Sequence, residues 1–406
     1  MLFLFPVGLV TIRHWSSVFF VLLSLLAVVF FKRNISLIRL ETDEKMVVLL
    51  VGLFFFSFLL SSYMNGWDRS YLRYVEDEIR FLLFVPLYFL VRRTGGALEH
   101  LVKGSALGIF VTFGVAFHEV HILGVDRATG AYSPLLLGPV VSVMVFVVVN
   151  GFRSTGDSPL WKSLSLISVP LGIYAAYLSL SRSAYVLIAT LSIITILFQL
   201  DGKRLKLSVS TLLAIALLFT YQYAPKVTYS VHRVASALSE VLDVENIASL
   251  NMDEPGTSTK ERIALLHVSY EIFADNMLFG VGRGEYSSVI QGYIDSGRAN
   301  PVVAIHSHPH NIFAESMVSR GIIGLSLLLS LFVYLIYLIL VHVRRGSYAV
   351  RGLMIVVGSF LIAGMFEASL MIKGNYIAFV LVYLASTLSE TIRESKTERA
   401  IKKSEK

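Results

Sequence analysis

The stretch MVVLLVGLFFFSFLLSS occupies residues 46–62 and contains no charged side chain. A helix of this length is long enough to cross the hydrocarbon core of a bilayer, which takes roughly 17–25 residues. Backbone N–H and C=O groups find no water in lipid, so a spanning segment must satisfy them within itself, as a helix does. The stretch therefore predicts a transmembrane helix, and it indicates the class of the whole chain.

Similar apolar runs recur almost to the C-terminus. We predict an all-α, polytopic membrane protein with about twelve transmembrane helices and one large, partly helical periplasmic loop. The first run is short, and the run from residue 311 is too long for one straight span, so its first part is expected outside the hydrocarbon. The predicted segments are 2–12, 15–31, 46–62, 79–91, 98–117, 133–150, 163–179, 184–200, 207–223, 311–341, 352–370 and 375–392.

The predicted organisation has four parts. Residues 1–223 hold transmembrane helices 1–9, residues 224–310 form a periplasmic loop domain, residues 311–392 hold helices 10–12, and residues 393–406 are a charged cytoplasmic tail. With the N-terminus inside, the short cytoplasmic loops and the tail contain 21 of the 35 Lys and Arg residues. Basic residues concentrate on the cytoplasmic side of membrane proteins, which gives this orientation and places the large loop outside.

Composition narrows the functional classes. Hydrophobic residues make up 55% of the chain and charged residues 16%, whereas a soluble domain averages about 25% charged residues. The net charge of +7 is expected to reflect basic cytoplasmic loops rather than nucleic-acid binding. The chain has no cysteine, which excludes disulfides, thiolate metal sites and cysteine nucleophiles. The first apolar run is not expected to be a cleaved signal peptide, because spans continue after it.

Arginine outnumbers lysine in the segments predicted to lie outside. Arg binds phosphate with a planar fork at two places, whereas Lys offers a point charge. The bias indicates an outer site for an anionic diphosphate, unless it is chance. Arg182 is the most informative of these residues, because it lies in a very short turn between two predicted spans, where charge is costly and usually functional. Snorkelling of Arg182 to lipid phosphate is the alternative.

The large outer loop has two recognisable parts. A helix is predicted from a cap at Ser258 or Thr259 to about Asn276, with Arg262 in its first turns. A glycine-rich run, Gly280-Val-Gly-Arg-Gly-Glu-Tyr, follows and contains Arg283. It lacks the third glycine and the preceding strand of a dinucleotide-binding fingerprint. Another outer segment, 63–74, mixes aromatic and Arg residues. It fits either an interfacial aromatic belt or a surface that stacks on sugars and contacts phosphate.

Three histidines, His306, His308 and His310, fall within five residues at the outer end of a predicted span. Histidine is the commonest general base near neutral pH and the commonest metal ligand. The local sequence offers no carboxylate or thiolate to complete a metal site, so no metal is predicted. The remaining interpretations are a catalytic base and a set of polar residues at the membrane interface.

The residues after His310 repeat with helical spacing. Positions 310, 314, 317, 321 and 324 would share one face of a continuous helix, and Ala314, Gly321 and Gly324 on that face are small. Small residues let another helix approach closely, so we expect His310 to head a rigid packing seam. The alternative is a simple packing stripe with His310 at its rim. Nothing in this spacing links His306 to His310, so replacing His306 is expected to be milder.

The pattern His310-Asn311, nine residues, Gly321, two residues, Gly324 resembles the His-Asn-x9-Gly-x2-Gly motif of the O-antigen ligase and polymerase superfamily. Arg262, the glycine-rich run with Arg283, Ser181-Arg182-Ser183 and the layout of spans are similar as well. The specific motifs cover residues 180–324.

This resemblance implies a glycosyltransferase of the inner membrane with its active site on the periplasmic face. Its partners would be an undecaprenyl-diphosphate-linked glycan as donor, a lipid A-core sugar hydroxyl as acceptor, and membrane lipid, without nucleic acid or cofactor. His310 would be the general base, and Arg182, Arg262 and Arg283 would bind the diphosphate. The supporting residues would be His308, Asn311, Gly321 and Gly324.

The motif does not separate an O-antigen ligase from an O-antigen polymerase or a protein O-oligosaccharyltransferase. Two further classes stay open at this point. A lipid-linked glycan transporter would use membrane arginines as an anion path, and a structural membrane protein would need no site at all. The transporter interpretation leaves the His-Asn motif and the large loop unexplained.

Overall fold

The structure is a computed structural model that describes residues 1–34, 40–67, 69–156, 158–199, 257–343, 346–366 and 374–404. These residues form helices and turns, and no strand occurs among them. The α-helices are α1 Trp15–Asn34, α2 Thr42–Met64, α3 Leu72–Arg93, α4 Ala97–Phe117, α5 Pro134–Gly151, α6 Pro159–Leu178, α7 Arg182–Gln199, α8 Thr257–Asp275, α9 Tyr286–Asp295, α10 Ile312–His342, α11 Tyr348–Phe366 and α12 Asn375–Ser404.

Local sequence explains where several helices begin. Helices α5 and α6 each start with a proline, Pro134 and Pro159, after an extended serine. Proline suits the first helical position, because its fixed φ fits the helix and its missing N–H has no partner there anyway. Helix α4 follows Gly96, which has the left-handed φ of 74°. Glycine adopts this conformation at little steric cost.

The chain divides into two compact units. Unit 1 comprises Met1–Phe55, Asp77–Gln199 and Ser330–Lys406, and unit 2 comprises Phe56–Glu76 and Leu200–Leu329. Within unit 1, α4, α5 and α6 pack closely through glycines. A Cβ on Gly108 would lie 2.5 Å from the Met144 side chain, and one on Gly172 would overlap Val145. Small residues at such crossings let membrane helices pack by direct contact.

Unit 2 has its own apolar core beneath the predicted outer-loop elements. Helix α8 contributes Leu265 and Val268, helix α9 contributes Ile290, and α10 contributes Val318. Helix α8 ends at Asp275, which confirms the expected helix up to about Asn276. Buried aliphatic side chains from three helices form a contiguous core, which gives this unit a rigid framework for polar residues at its surface.

Six helices in the described ranges are long and apolar enough to span a membrane, which indicates a multi-pass membrane protein. They are Thr42–Met64, Ala97–Ile122, Pro134–Ser154, Ile312–His342, Tyr348–Phe366 and Asn375–Glu398. Two further apolar helices, Trp15–Val29 and Arg182–Ile196, are shorter than these six. The predicted number of about twelve spans and the periplasmic loop are not confirmed by these helices.

The differences from the twelve expected segments have identifiable reasons. Residues 2–12 form turns instead of an α-helix. Helix α3 covers the expected segment 79–91 but carries several charged residues. Helix α6 covers the expected segment 163–179 up to Leu178 but contains Ser and Pro residues that lower its hydropathy. The expected segment 207–223 and the first part of the large loop, up to residue 256, lie outside the described residues.

The orientation of the chain can be tested with introduced cysteines, because the natural sequence contains none. Ser296 follows α9 and Ser404 ends α12, and both are exposed. We expect Ser296→Cys to react with a membrane-impermeant thiol reagent in intact spheroplasts, because the loop domain is predicted to lie outside. Ser404→Cys should react only after permeabilisation. The opposite labelling of the two variants would contradict the orientation.

Candidate active site

The His-Asn pair lies at the start of helix α10. Asn311 caps the helix: its Oδ1 accepts hydrogen bonds from the backbone N–H groups of Phe313, at 2.9 Å, and Ala314, at 3.1 Å. Asparagine is among the preferred capping residues, because it satisfies N–H groups that have no partner inside the helix. His310 precedes the cap with a left-handed φ of 53°, a region where His is enriched among non-glycine residues. The cap therefore fixes the backbone that carries His310.

The expected continuous face from residue 310 to 324 is wrong. Helix α10 begins only at Ile312, and Gly321 interrupts it with φ 61° and ψ −154°. Because His310 is outside the helix and Gly321 breaks it, positions 310 and 324 cannot share one helical face. The helical spacing predicts a shared face only if every residue has helical backbone angles, and Gly321 does not.

The break in α10 is repaired by the segment 277–281. In a regular helix the Ile322 N–H would donate to the Val318 carbonyl. Here the Ile322 N–H donates to the Met277 carbonyl at 2.7 Å, and the Val318 carbonyl accepts from the Val281 N–H at 2.8 Å. One helical hydrogen bond is thus exchanged for two with the crossing segment. Irregular backbone near a membrane needs such partners.

Ser61 and two glycines make this crossing possible. The Ser61 hydroxyl lies 2.7 Å from the carbonyl oxygens of both Phe279 and Ser319, so it contacts both backbone segments at the crossing. A Cβ on Gly321 would lie 2.5 Å from the Leu278 carbonyl group, and one on Gly280 would overlap the Val318 carbonyl. Gly321 therefore serves a backbone crossing rather than the helix–helix seam that we expected.

The three histidines converge in unit 2. His306 Nδ1 lies 3.2 Å from His310 Nε2, and the rings of His308 and His310 are 4.2 Å apart between centroids. On the other side of its ring, His306 Nε2 lies 3.8 Å from Glu261 Oε2. His306 thus lies between His310 and the Glu261 carboxylate of helix α8.

Electrostatics around His306 favours the neutral imidazole. Burial lowers the pKa of His306 below its ordinary value, and the neighbouring His310, His308 and Arg262 act in the same direction, while Glu261 opposes them. Burial has this effect because a charged ring loses hydration. The influence of Arg262 also shows that this half-buried arginine is near the histidine cluster.

Arg283 is held in a buried ion pair with Glu315. Its guanidinium also lies 5.9 Å from the centre of the Tyr74 ring, within the range of a cation–π contact. The flanking glycines have left-handed φ angles, and a Cβ on Gly282 or Gly284 would collide with the hydroxyl of Tyr71 or Tyr74. These tyrosines come from the aromatic segment 63–74, so the structure brings this segment to the glycine-rich run.

Glu315 has a second neighbour in the same core. The pKa of the Tyr286 phenol is raised by burial and by the negative charge of Glu315. Glu315 also lies in the first turn of α10, where its N–H donates to the Asn311 carbonyl at 2.8 Å. The Arg283–Glu315 ion pair therefore involves a residue one helical turn after the His310-Asn311 motif.

Arg182 is the one predicted site residue in unit 1. The others belong to unit 2: Arg262, Arg283, His308, His310, Asn311, Gly321 and Gly324. Arg182 is the first residue of α7 and is exposed. The hydroxyls of Ser181 and Ser183 on either side lie 2.9 Å apart, and Leu180 before them has a left-handed φ of 50°. The turn that carries Arg182 is thus tightly defined.

Sequence reasoning missed several residues of this site. Glu261, Glu315, Tyr71 and Tyr74 are not among the site residues that the sequence predicts. Among the described residues, no group of three or more His, Asp or Glu side chains is arranged to hold a metal ion. Metal independence stays a prediction.

The backbone crossing predicts that Gly321→Ala destabilises the protein. The φ and ψ of Gly321 are accessible essentially only to glycine, with strain of about 1–3 kcal/mol for other residues, and the added methyl would meet Leu278. We expect the melting temperature of the purified protein in detergent to fall by several degrees. The control is Gly292→Ala in α9, where nothing lies within 4 Å of a new Cβ. Equal melting temperatures for Gly321→Ala and the wild type would contradict this account.

Comparison with known proteins is informative over this region. A family model described as O-antigen ligase matches residues 167–329, which include Arg182, the glycine-rich run and the His-Asn motif. An uncharacterized protein of Haemophilus influenzae is 21% identical over 308 residues, or 75% of each chain. Over residues 167–329 the chain is therefore similar to the O-antigen ligase family.

Proposed function

We propose that the protein transfers a glycan from undecaprenyl diphosphate to a sugar hydroxyl of lipid A-core on the periplasmic face of the inner membrane. The observation that carries this proposal is the histidine cluster at the head of α10, with Arg262 beside it. A base next to a guanidinium suits a reaction in which a hydroxyl attacks a sugar and a diphosphate leaves.

His310 is the general base of the proposed reaction. The acceptor hydroxyl attacks the anomeric carbon and gives its proton to His310, while the bond from that carbon to the diphosphate breaks. A positioned base contributes about 10²–10⁴-fold to such a step. The Asn311 cap supports this role because it fixes the backbone at His310 before substrate binds. A catalytic group must be held close to its productive geometry to be effective.

Arg182, Arg262 and Arg283 stabilise the diphosphate in this proposal. A diphosphate is already a good leaving group, so it needs preorganised positive charge rather than an acid. Arg262 is the best supported, because it acts on the electrostatics of the histidine cluster. Arg283 has a defined position, because it forms an ion pair with Glu315 and lies near the Tyr74 ring. Arg182 follows a tightly defined turn of unit 1 and is exposed.

The proposed reaction has a definite stereochemical outcome. One base and one attacking hydroxyl imply a single displacement, so the anomeric configuration of the sugar inverts, as in inverting glycosidases. The residues named here require no nucleotide, and we propose that the transfer is independent of metal ions. Histidine and arginine side chains supply the proton acceptor and the positive charge.

Reconstitution of the full chain tests this function. The purified protein in lipid nanodiscs would receive a radiolabelled undecaprenyl-diphosphate-linked oligosaccharide, lipid A-core and EDTA. We expect label on lipid A-core. Label only on longer lipid-linked glycans would show a polymerase instead, and label on protein an O-oligosaccharyltransferase. Absence of any transfer, or transfer that needs an added divalent ion, would contradict the proposal.

His310→Ala is expected to reduce transfer by at least about 10²-fold, because the general base is lost. The variant should still bind undecaprenyl diphosphate, since arginines hold that group. The matched control is His267→Ala on α8, which removes a histidine paired with Glu271 at 4.0 Å. Retention of more than about a tenth of the wild-type rate by His310→Ala would exclude the histidine as the base.

Arg182→Lys is expected to lose nearly as much activity as Arg182→Ala. Lysine keeps the charge but cannot bind two phosphate oxygens with one planar fork. The measurement is the transfer rate at equal protein abundance, with the exposed Arg153→Lys as control. Full activity of Arg182→Lys would reduce Arg182 to an anchor at the lipid headgroups.

A further inference from the structure

His306 lies between two partners that could control its tautomer. Its Nδ1 faces His310 Nε2 at 3.2 Å, a hydrogen-bond distance, and its Nε2 faces Glu261 Oε2 at 3.8 Å. The second distance is longer than a direct hydrogen bond, but catalytic contacts are often long before substrate binds and then tighten. The order of the three side chains is therefore Glu261, His306, His310.

Hydrogen-bond chemistry gives this chain a direction. A carboxylate accepts and cannot donate, so it favours the His306 tautomer with the proton on Nε2. The Nδ1 of that ring is then an acceptor, and the bond at 3.2 Å must be donated by His310 Nε2–H. A neutral imidazole carries one proton, so the basic lone pair of His310 resides on Nδ1.

We propose that Glu261 and His306 are positioning residues that set His310 in the tautomer with Nδ1 as the reactive nitrogen. This inference rests on the proposed glycan transfer and assigns residues to it. The acceptor O–H bond breaks and its proton goes to His310 Nδ1, as the oxygen bonds to the anomeric carbon and the diphosphate leaves with the bonding electrons. The resulting imidazolium is stabilised by Glu261 across the His306 ring, until it returns the proton to water.

The surroundings of His306 support this direction. His306 must stay neutral to accept a hydrogen bond from His310, and burial lowers its pKa accordingly. The charged and titratable groups that act on it are His310, Glu261, His308 and Arg262. Glu261 is the one carboxylate among them, so its removal should have a characteristic electrostatic effect. His308 also contacts the Ser307 hydroxyl at 3.0 Å.

Two substitutions of His306 separate the hydrogen bond from simple packing. In His306→Asn, the amide oxygen takes the place of Nδ1 and still accepts from His310, whereas His306→Leu offers no acceptor. We expect kcat to fall by on the order of 10- to 100-fold in His306→Leu and much less in His306→Asn. The KM for the lipid-linked oligosaccharide should be unchanged in both. Equal loss in the two variants, or no loss in either, would overturn the role of His306.

Glu261→Gln tests the carboxylate by its effect on pH dependence. Without the negative charge, the protonated histidine pair is less stable, so the acid side of the kcat profile should move to lower pH, together with a fall in kcat. A structural role alone would leave that limb in place. In the His306→Asn background, Glu261→Gln should have little further effect, because the ring that links it to His310 is absent. Glu271→Gln, further along the same helix, is the matched control.

The outcomes distinguish this inference from the function on which it depends. All variants are measured as the full chain in nanodiscs, with undecaprenyl diphosphate binding as the check on folding, and His310→Ala is assayed beside them. Suppose that His310→Ala loses transfer while the Glu261 and His306 variants keep wild-type rates and pH profiles. That result would overturn only the positioning roles of Glu261 and His306. Wild-type transfer by His310→Ala, or no transfer by the wild-type chain, would overturn both.

Discussion

The backbone crossing at Gly321 is the interaction on which the rest of the site depends. A helix that breaks near a membrane leaves an N–H and a carbonyl that must find partners, since each unsatisfied group costs several kcal/mol in hydrocarbon. The segment 277–281 supplies both partners. Its last residues, 280 and 281, already belong to the glycine-rich run that contains Arg283. The helical piece before the break carries Glu315 and follows the Asn311 cap. The crossing thereby fixes the two segments that carry most of the site in unit 2.

Charge compensation is the second constraint on this unit. Arg283 is 4% exposed and Glu315 is 7% exposed, and an isolated charge at such a depth would be strongly unfavourable. The ion pair compensates the charge of the arginine and fixes its orientation. Glu261 has an analogous relation to His306, where burial favours the neutral ring and the carboxylate favours the charged one. Each carboxylate therefore compensates a basic side chain of the candidate site.

The sequence predicts the all-α class and the helix that precedes the glycine-rich run, and both are confirmed. The roles of the candidate residues His310, Arg262 and Arg283 stay predictions. The sequence could not predict that His306 contacts His310, because that contact depends on the left-handed backbone of His310 and on turns without periodicity. It also gave the wrong reason for Gly321. A glycine at helical spacing indicates close packing, and only the backbone angles show that the helix breaks there. The partners Glu261 and Glu315 are remote in sequence from the residues they contact, so no spacing rule could identify them.

The most direct test of the central claim, a single displacement assisted by His310, is the anomeric configuration of the transferred sugar. The configuration in the lipid-linked donor and in the product can be compared by the anomeric proton coupling in NMR spectra. A single displacement predicts that the configuration is inverted in every product molecule. Retention would require two successive displacements through a glycosyl-enzyme intermediate, and it would contradict the assignment of His310 as a base acting on the acceptor hydroxyl.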